Sequence, residues 1–227
     1  SLYVEQHAVS SVFTTSSSWL ILSPIEASIR RKIEDVGKPL KDWDIQINYG
    51  IKTGCNDAFI ISTAKRDEIL ANCQTEEERQ RTADLIRPIL RGKDIKRYGY
   101  DWAGLWLINT HNGVKGKIPP IDIAFYPAIK AHLDSHLDKI TRRSDQGVTP
   151  YNLRDCAYVE DFDKPKIMWK RIGSIIRFCH NENGAFGLDS TCFAAGNDIE
   201  YICCVLNSPM GHYLLKDSPR TGTGDLL

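Results

Sequence analysis

Residues 164–188 read KPKIMWKRIGSIIRFCHNENGAFGL, and this stretch decides the fold class. Its apolar and β-branched runs predict three strands, Lys166–Arg171, Ser174–His180 and Gly184–Leu188, with a hairpin turn over residues 181–184. A helix capped by Asn197, with Glu200 in its first turn, is predicted to follow through Leu206. Since strands and helices mix here without an internal repeat, the sequence predicts an α+β fold with a mixed, mostly antiparallel sheet and several packed helices.

Capping and turn signals upstream of this stretch predict further elements. Ser23-Pro-Ile-Glu26 forms a capping box and opens a helix that ends at Gly37. The remaining predictions are strands at Ile45–Tyr49, Ala58–Ile61 and Leu105–Ile108, helices capped by Thr63 and Thr75 with Pro88 ending the second, and a helix from Pro127 with the apolar stripe Ile129, Leu133, Leu137 and Ile140.

Length and composition predict one globular domain over residues 1–227. The chain is 42% hydrophobic, which is enough for a core, and no low-complexity linker or break in composition divides it. It starts at Ser1, and residues 222–227 run into an apolar end without a cap or stop. We therefore expect a piece excised from a longer chain, truncated at its C-terminus.

Charge and cysteine content limit the partners and the compartment. Lys+Arg and Asp+Glu are balanced at 29 each, so any site for a polyanion must be a local patch. The seven cysteines form no C-x-x-C pair and are predicted to be reduced thiols of a cytoplasmic protein, with Cys203 and Cys204 in a buried helix. No apolar run approaches the length of a membrane span.

Three segments are locally basic: residues 87–97, 139–154 and 164–177. Such clustering indicates a charged face for nucleic acid, although a solvated surface is an equally good interpretation of charge alone. Forked and amide side chains can read base edges, whereas lysines beside flexible glycines suit phosphates. The predicted DNA-backbone contacts are Lys52, Thr53, Arg91, Lys93, Lys96 and Lys166, and the predicted base readers are Arg142, Arg143, Asn152, Arg154, Lys170 and Arg171.

Catalytic signals are weak. Ile118-Pro-Pro-Ile121 lacks both the Asn or Asp before the prolines and the aromatic residue after them that an adenine methyltransferase needs. A metal-dependent nuclease centre is permitted by one spacing alone, that of Asp84, Asp94 and Lys96. This pattern is loose enough to arise by chance. His132 and His136 lie one helical turn apart without a third metal ligand. We expect no catalysis, cofactor or metal in this fragment.

Five spaced blocks resemble a known family: Gly50–Phe59, Ile89–Tyr98, Leu105–His111, Thr149–Arg154 and Lys164–Ile167. In this order they resemble the TaqI-like C-terminal specificity domain of type IIG restriction-modification enzymes and related adenine-specific DNA methyltransferases, from about residue 19 onward. The resemblance implies a target-recognition domain that holds duplex DNA against a methyltransferase domain N-terminal to it. It also implies S-adenosylmethionine in that parent, and Mg²⁺ if a nuclease is fused.

The sequence is therefore consistent with three hypotheses. The first is a DNA-recognition module for a fused methyltransferase or restriction endonuclease. The second is a nuclease fragment with its own centre at Asp84, Asp94 and Lys96. The third is a non-catalytic interaction domain whose basic segments are ordinary surface.

Overall fold

The computed structural model describes residue 8 and residues 22–173 and 175–215. Its helices are α1 Pro24–Val36, α2 Asn56–Phe59, α3 Thr63–Ala71, α4 Glu76–Leu85, α5 Pro127–Asp134, α6 Leu137–Arg142, α7 Ile199–Asn207 and α8 Pro209–Leu215. Its strands are β1 Ile45–Tyr49, β2 Ile60–Ser62, β3 Ile86–Leu90, β4 Leu105–Ile108, β5 Lys166–Lys170, β6 Phe178–Asn181, β7 Phe186–Gly187 and β8 Thr191–Gly196. The apolar run at residues 19–21 and the end at residues 222–227 lie outside the described residues.

The strands form two four-stranded sheets. The first has the order β1-β8-β5-β6 and is antiparallel throughout, with Tyr49 opposite Cys192 and Trp169 opposite the same residue from the other side. The second has the order β2-β4-β3-β7, with one parallel pair between β3 and β7. The predicted α+β fold with a mixed, mostly antiparallel arrangement is confirmed, although the strands divide between two sheets.

A larger and a smaller apolar core hold these layers together. Successive strand residues point to opposite faces, so in β5 Met168 joins the larger core while Ile167 and Trp169 join the smaller one beside α7 and α8. Phe162 lies between the sheets, with its ring 4.4 Å from those of Phe186 and Phe193. Each such buried side chain contributes about 1.5–3 kcal/mol, and the larger core therefore gives the two sheets a common interior.

The predicted capping signals are confirmed at two helices. Glu26 N donates to Ser23 Oγ and Ser23 N to Glu26 Oε2, which is a reciprocal capping box for α1. Thr75 Oγ1 accepts from Glu78 N at the start of α4. The apolar stripe of α1 is nevertheless not core, because Ile25 is 73% and Val36 88% exposed.

Several predicted boundaries are wrong. The helix begun by Thr75 ends at Leu85, and Pro88 lies inside β3 opposite Trp106. Ala58 and Phe59 belong to α2, and Ser62 rather than Thr63 caps α3. The predicted hairpin over residues 181–184 does not exist, because β6 and β7 pair in different sheets.

Two further helix predictions are corrected at their ends. The helix opened by Pro127 breaks at Ser135 and His136, which leaves Leu137 exposed. Asp198, with φ of 55°, occupies the cap of α7, whereas the Asn197 side chain donates to Asp44. Within α7, Cys203 is buried but Cys204 is exposed. None of the described helices combines the length and the apolar composition required to cross a bilayer.

Candidate nucleic-acid interface

The loop after β1 packs directly on the turn before β8. Gly50 N donates to Thr191 O at 3.0 Å, and Ile51 N donates to Gly187 O at 2.6 Å. A Cβ atom at Gly50 would lie 1.9 Å from Leu188 O, so no larger residue fits. Close approach of protein backbone therefore explains this glycine, in place of the predicted approach to a phosphate.

The loop after β3 meets the same turn and the end of β5. Gly92 N donates to Ser190 Oγ at 3.1 Å, and a Cβ at Gly92 would lie 2.8 Å from Lys170 Cγ. Lys93 is exposed on this loop and Lys170 is exposed beside it. Among the described residues, no acidic side chain lies within salt-bridge distance of either lysine. This side of the molecule therefore carries two positive charges that form no ion pair with any described residue.

Arg171 and Tyr49 extend this basic edge. Arg171 N donates to Ser190 O at 3.0 Å, and its guanidinium carbon lies 5.0 Å from the centre of the Tyr49 ring. Arg171 is half-buried and Tyr49 is exposed. Stacking of this kind contributes a cation–π attraction and orients the guanidinium plane along the ring.

The loop over residues 143–154 is held by one buried arginine. Arg143 donates to the carbonyl oxygens of Thr53, Asp145, Pro150 and Asn152, and its guanidinium carbon lies 4.5 Å from the Phe59 ring centre. Four carbonyls from two loops thus share one cation. The loop after β1 and the loop after α6 are locked together in consequence.

Asp145 joins two exposed cations at this junction. Its Oδ2 lies 2.9 Å from Lys52 Nζ and its Oδ1 lies 3.2 Å from an Arg154 terminal nitrogen. The sequence predicted Lys52 as a phosphate contact and Arg154 as a base reader. The structure brings the two together on a single carboxylate.

Four predicted contact residues are buried, and their assignment to DNA is corrected. Thr53 Oγ1 donates to Asn56 Oδ1, and Asn152 Nδ2 donates to Ile121 O. Arg143 donates to the four carbonyl oxygens described above and is also buried. Lys166 is fully buried, with its ammonium donating to Phe162 O and Asn181 Oδ1, and burial lowers its pKa to about 8. These side chains form hydrogen bonds within the protein and are shielded from solvent.

Arg91 is likewise occupied, by Asp94. The Arg91 amide and guanidinium donate to both carboxylate oxygens at 2.7–3.0 Å. Burial would raise the pKa of Asp94, but the hydrogen bonds and charge of Arg91 outweigh it and lower that pKa. Lys96 lies 3.4 Å from Asp101, and Arg142 is exposed at the end of α6.

The predicted nuclease residues do not form a metal site. Asp84 is exposed and accepts from Gln80, and both oxygens of Asp94 are taken by Arg91. In the described ranges the one group of three metal-ligand side chains is His180, Glu182 and Glu200, which includes neither aspartate. His132 Nε2 forms a hydrogen bond with Ala58 O, and its ring contacts that of His136 edge-on. No third metal-ligand side chain joins this histidine pair among the described residues.

Sequence reasoning missed Tyr49, Asp145 and Ser190. Tyr49 was interpreted as a strand residue, and Asp145 was a lone acid within a basic segment. A signal did exist for Tyr49, because it ends a strand next to a glycine-rich loop. No local signal pointed to Asp145 or Ser190, since their partners Lys52 and Gly92 lie far away in the sequence.

Comparison with known proteins supplies the class of fold. No protein-family model and no curated protein matches the sequence. Among solved structures, the fold is similar to part of MmeI, a type IIL restriction-modification enzyme in complex with DNA, with a TM-score of 0.51 and 14% identity. The match covers 75% of this chain and 21% of that one, so the chain spans about a fifth of the length of MmeI. The chain therefore has a fold found within a restriction-modification enzyme.

Proposed function

We propose that this chain is a DNA target-recognition domain of the TaqI-like kind. It recognises duplex DNA for a fused adenine-specific methyltransferase or restriction endonuclease and catalyses nothing itself. The observation that carries the proposal is the convergence of loops from both sheets on one edge that presents Lys93, Lys170 and Arg171. The similarity to part of an enzyme in complex with DNA supports the same class.

The cations of this surface divide by chemistry. Lys93, Lys170 and Lys96 are compact charges suited to phosphate oxygens, which fix the register of a protein on DNA without reading sequence. Arg171 and Arg142 carry forks that match the guanine O6 and N7 acceptors in the major groove. Lys170 thereby moves from the predicted base readers to the phosphate contacts, because it lies against the backbone of the Gly92 loop.

The remaining parts of the reaction belong to other domains in this proposal. A methyltransferase domain would supply the opposite wall of the DNA cleft, the S-adenosylmethionine site and the pocket for the flipped adenine. A nuclease domain, where fused, would use Mg²⁺. With one wall alone, the chain should bind DNA weakly and with little sequence preference.

A salt titration of a labelled mixed-sequence duplex tests the proposal. We expect dissociation constants of roughly 10⁻⁴–10⁻⁶ M at physiological salt. The logarithm of the association constant should fall linearly with the logarithm of the salt concentration, with a slope of about −0.9 for each phosphate neutralised. Lys93→Gln and Lys170→Gln should each flatten the slope by about 0.9, whereas Lys32→Gln on α1 should leave it unchanged. Absence of duplex binding at low salt, or equal slopes in all variants, would refute the proposal.

A further inference from the structure

We propose that Asp145 is a specificity-determining residue that restrains Lys52 and Arg154 and thereby weakens binding to DNA of arbitrary sequence. The inference rests on the proposed function, since it concerns the loop after β1, which packs on the turn before β8 beside the proposed DNA-binding edge. Its basis is one carboxylate shared by two cations, with Lys52 on Oδ2 and Arg154 on Oδ1.

Exposure shows which side of this triad faces outward. The side chains of Lys52 and Arg154 are 53% and 54% exposed, whereas that of Asp145 is 17% exposed. A ligand arriving from solvent therefore meets the cations first and the carboxylate behind them. Phosphate oxygens are ligands for both cation types, since each forms charge-assisted hydrogen bonds with them.

The carboxylate cannot easily retreat from the cations. Arg143 donates to Asp145 O at 2.7 Å, which fixes the backbone of this residue. Gly54 lies against it with φ of 69°, and a Cβ at Gly54 would approach Asp145 Cβ to 3.0 Å. Exchange of the carboxylate for a phosphate must therefore come from movement of the Lys52 and Arg154 side chains.

Restrained cations contribute less to non-specific affinity. Binding to any duplex is driven by counterion release, and a cation already neutralised by a fixed carboxylate adds little to that release. At a cognate site, base contacts offset the exchange of partner. Discrimination between DNA sites depends on the ratio of specific to non-specific affinity. A residue that lowers the non-specific affinity therefore raises this ratio.

Asp145→Asn tests this role in the chain as it is. Asparagine keeps the size and one acceptor oxygen but removes the charge, so the loops should keep their path. On a mixed-sequence duplex titrated from roughly 50 to 200 mM salt, we expect the log–log slope to steepen by well under the roughly 1.8 that two fully released cations would give, because exposed ion pairs neutralise their cations only in part. Affinity at the low-salt end should rise about three- to tenfold, because exposed ion pairs are weak.

Two controls isolate the effect. Glu34→Gln removes the same charge from the exposed pair with Arg30 on α1 and should change affinity by less than about twofold, because salt screens charges distant from the bound DNA. In a Lys52→Gln/Arg154→Gln background, Asp145→Asn should have no further effect, because the coupled partners are gone.

The outcomes separate the two proposals. If the wild type binds duplex but Asp145→Asn binds no more tightly than Glu34→Gln, or if the gain persists without Lys52 and Arg154, the role of Asp145 is refuted and the proposed function stands. If neither the wild type nor Asp145→Asn binds duplex at low salt, the proposed function itself is refuted.

Discussion

Arg171 rests on Tyr49, with its guanidinium carbon 5.0 Å from the centre of the ring. Tyr49 ends β1 and Arg171 directly follows β5, so the contact spans the intervening strand β8. The ring holds one face of the guanidinium, and the Arg171 backbone is fixed by Ser190 O. A fork held in this way loses little conformational freedom when it meets a planar partner. Arg171 is therefore the strongest candidate for the base contact that we propose.

Arg171→Ala should change the preference of the proposed parent enzyme at a single base pair by about 1–3 kcal/mol. Tyr49→Leu should affect the same position by about 0.5–1 kcal/mol, and Tyr49→Phe, which keeps the ring, should behave as wild type. Selection from a randomised duplex library measures both effects. Equal weakening on all sequences would reassign Arg171 to phosphate contact.

Arg143→Met should lower the free energy of unfolding by about 2–4 kcal/mol, because it strands several carbonyl oxygens in the junction of two loops. Lysine at this position should recover only part of the loss, since it has no planar fork. Urea denaturation measures the change. Arg142→Ala, one residue earlier and exposed, is the matched control and should stay within about 0.5 kcal/mol; a loss equally small for Arg143→Met would contradict the clamp.

Lys166 should make stability rise with pH. Burial lowers its pKa from 10.5 to about 8, so between these values the unfolded chain binds more protons and alkali favours the folded state. Four thiols act in the opposite sense, because desolvation raises the pKa values of Cys156, Cys192 and Cys203 to about 11 and that of Cys179 to about 12.

The comparison with Lys166→Met cancels the contributions of Cys156, Cys192 and Cys203, whereas Cys179 interacts electrostatically with Lys166. The free energy of unfolding of the wild type, relative to this variant, should increase by up to about 3 kcal/mol between pH 8 and 10.5. Urea denaturation of both proteins at each pH provides the difference. A difference that stays constant with pH would show that Lys166 keeps its proton.

The chain should leave supercoiled plasmid intact with either Mg²⁺ or Mn²⁺. Asp94→Asn should instead lower stability by about 1–3 kcal/mol, because it weakens the hydrogen bonds that orient Arg91. Asp84→Asn, at an exposed position, should remain within about 0.5 kcal/mol of wild type. Metal-dependent nicking that both substitutions abolish would restore the nuclease hypothesis.

The sequence predicted those features that depend on neighbouring residues. The capping box at Ser23, the cap at Thr75 and the strand at Leu105–Ile108 were correct, since a turn of helix or a run of β-branched and aromatic residues is decided locally. Pro88 was misleading for the same reason. Proline is a strong helix terminator, but here the helix had already ended at Leu85 and the proline fits a strand.

Burial of the polar site residues could not be predicted from residue type. Arg143 and Lys166 satisfy their donors with main-chain carbonyls, which every residue carries and which therefore leave no mark in the sequence. Lys93 and Lys170, which are exposed, and Arg171, which is half-buried, were all predicted as DNA contacts from residue type and neighbouring sequence. Whether they contact DNA is a matter for the titrations above.

The Arg143 clamp separates the shape of a loop from the identity of its side chains. Arg143 binds main-chain carbonyls, so the backbone path of residues 145–152 does not depend on the identity of the exposed side chains nearby. Gln146, Val148 and Arg154 are exposed on this fixed frame. Substitutions accumulating there can alter what the loop touches while its backbone stays in place. The loop is in this sense evolvable: selection can explore new contacts without first having to rebuild the fold.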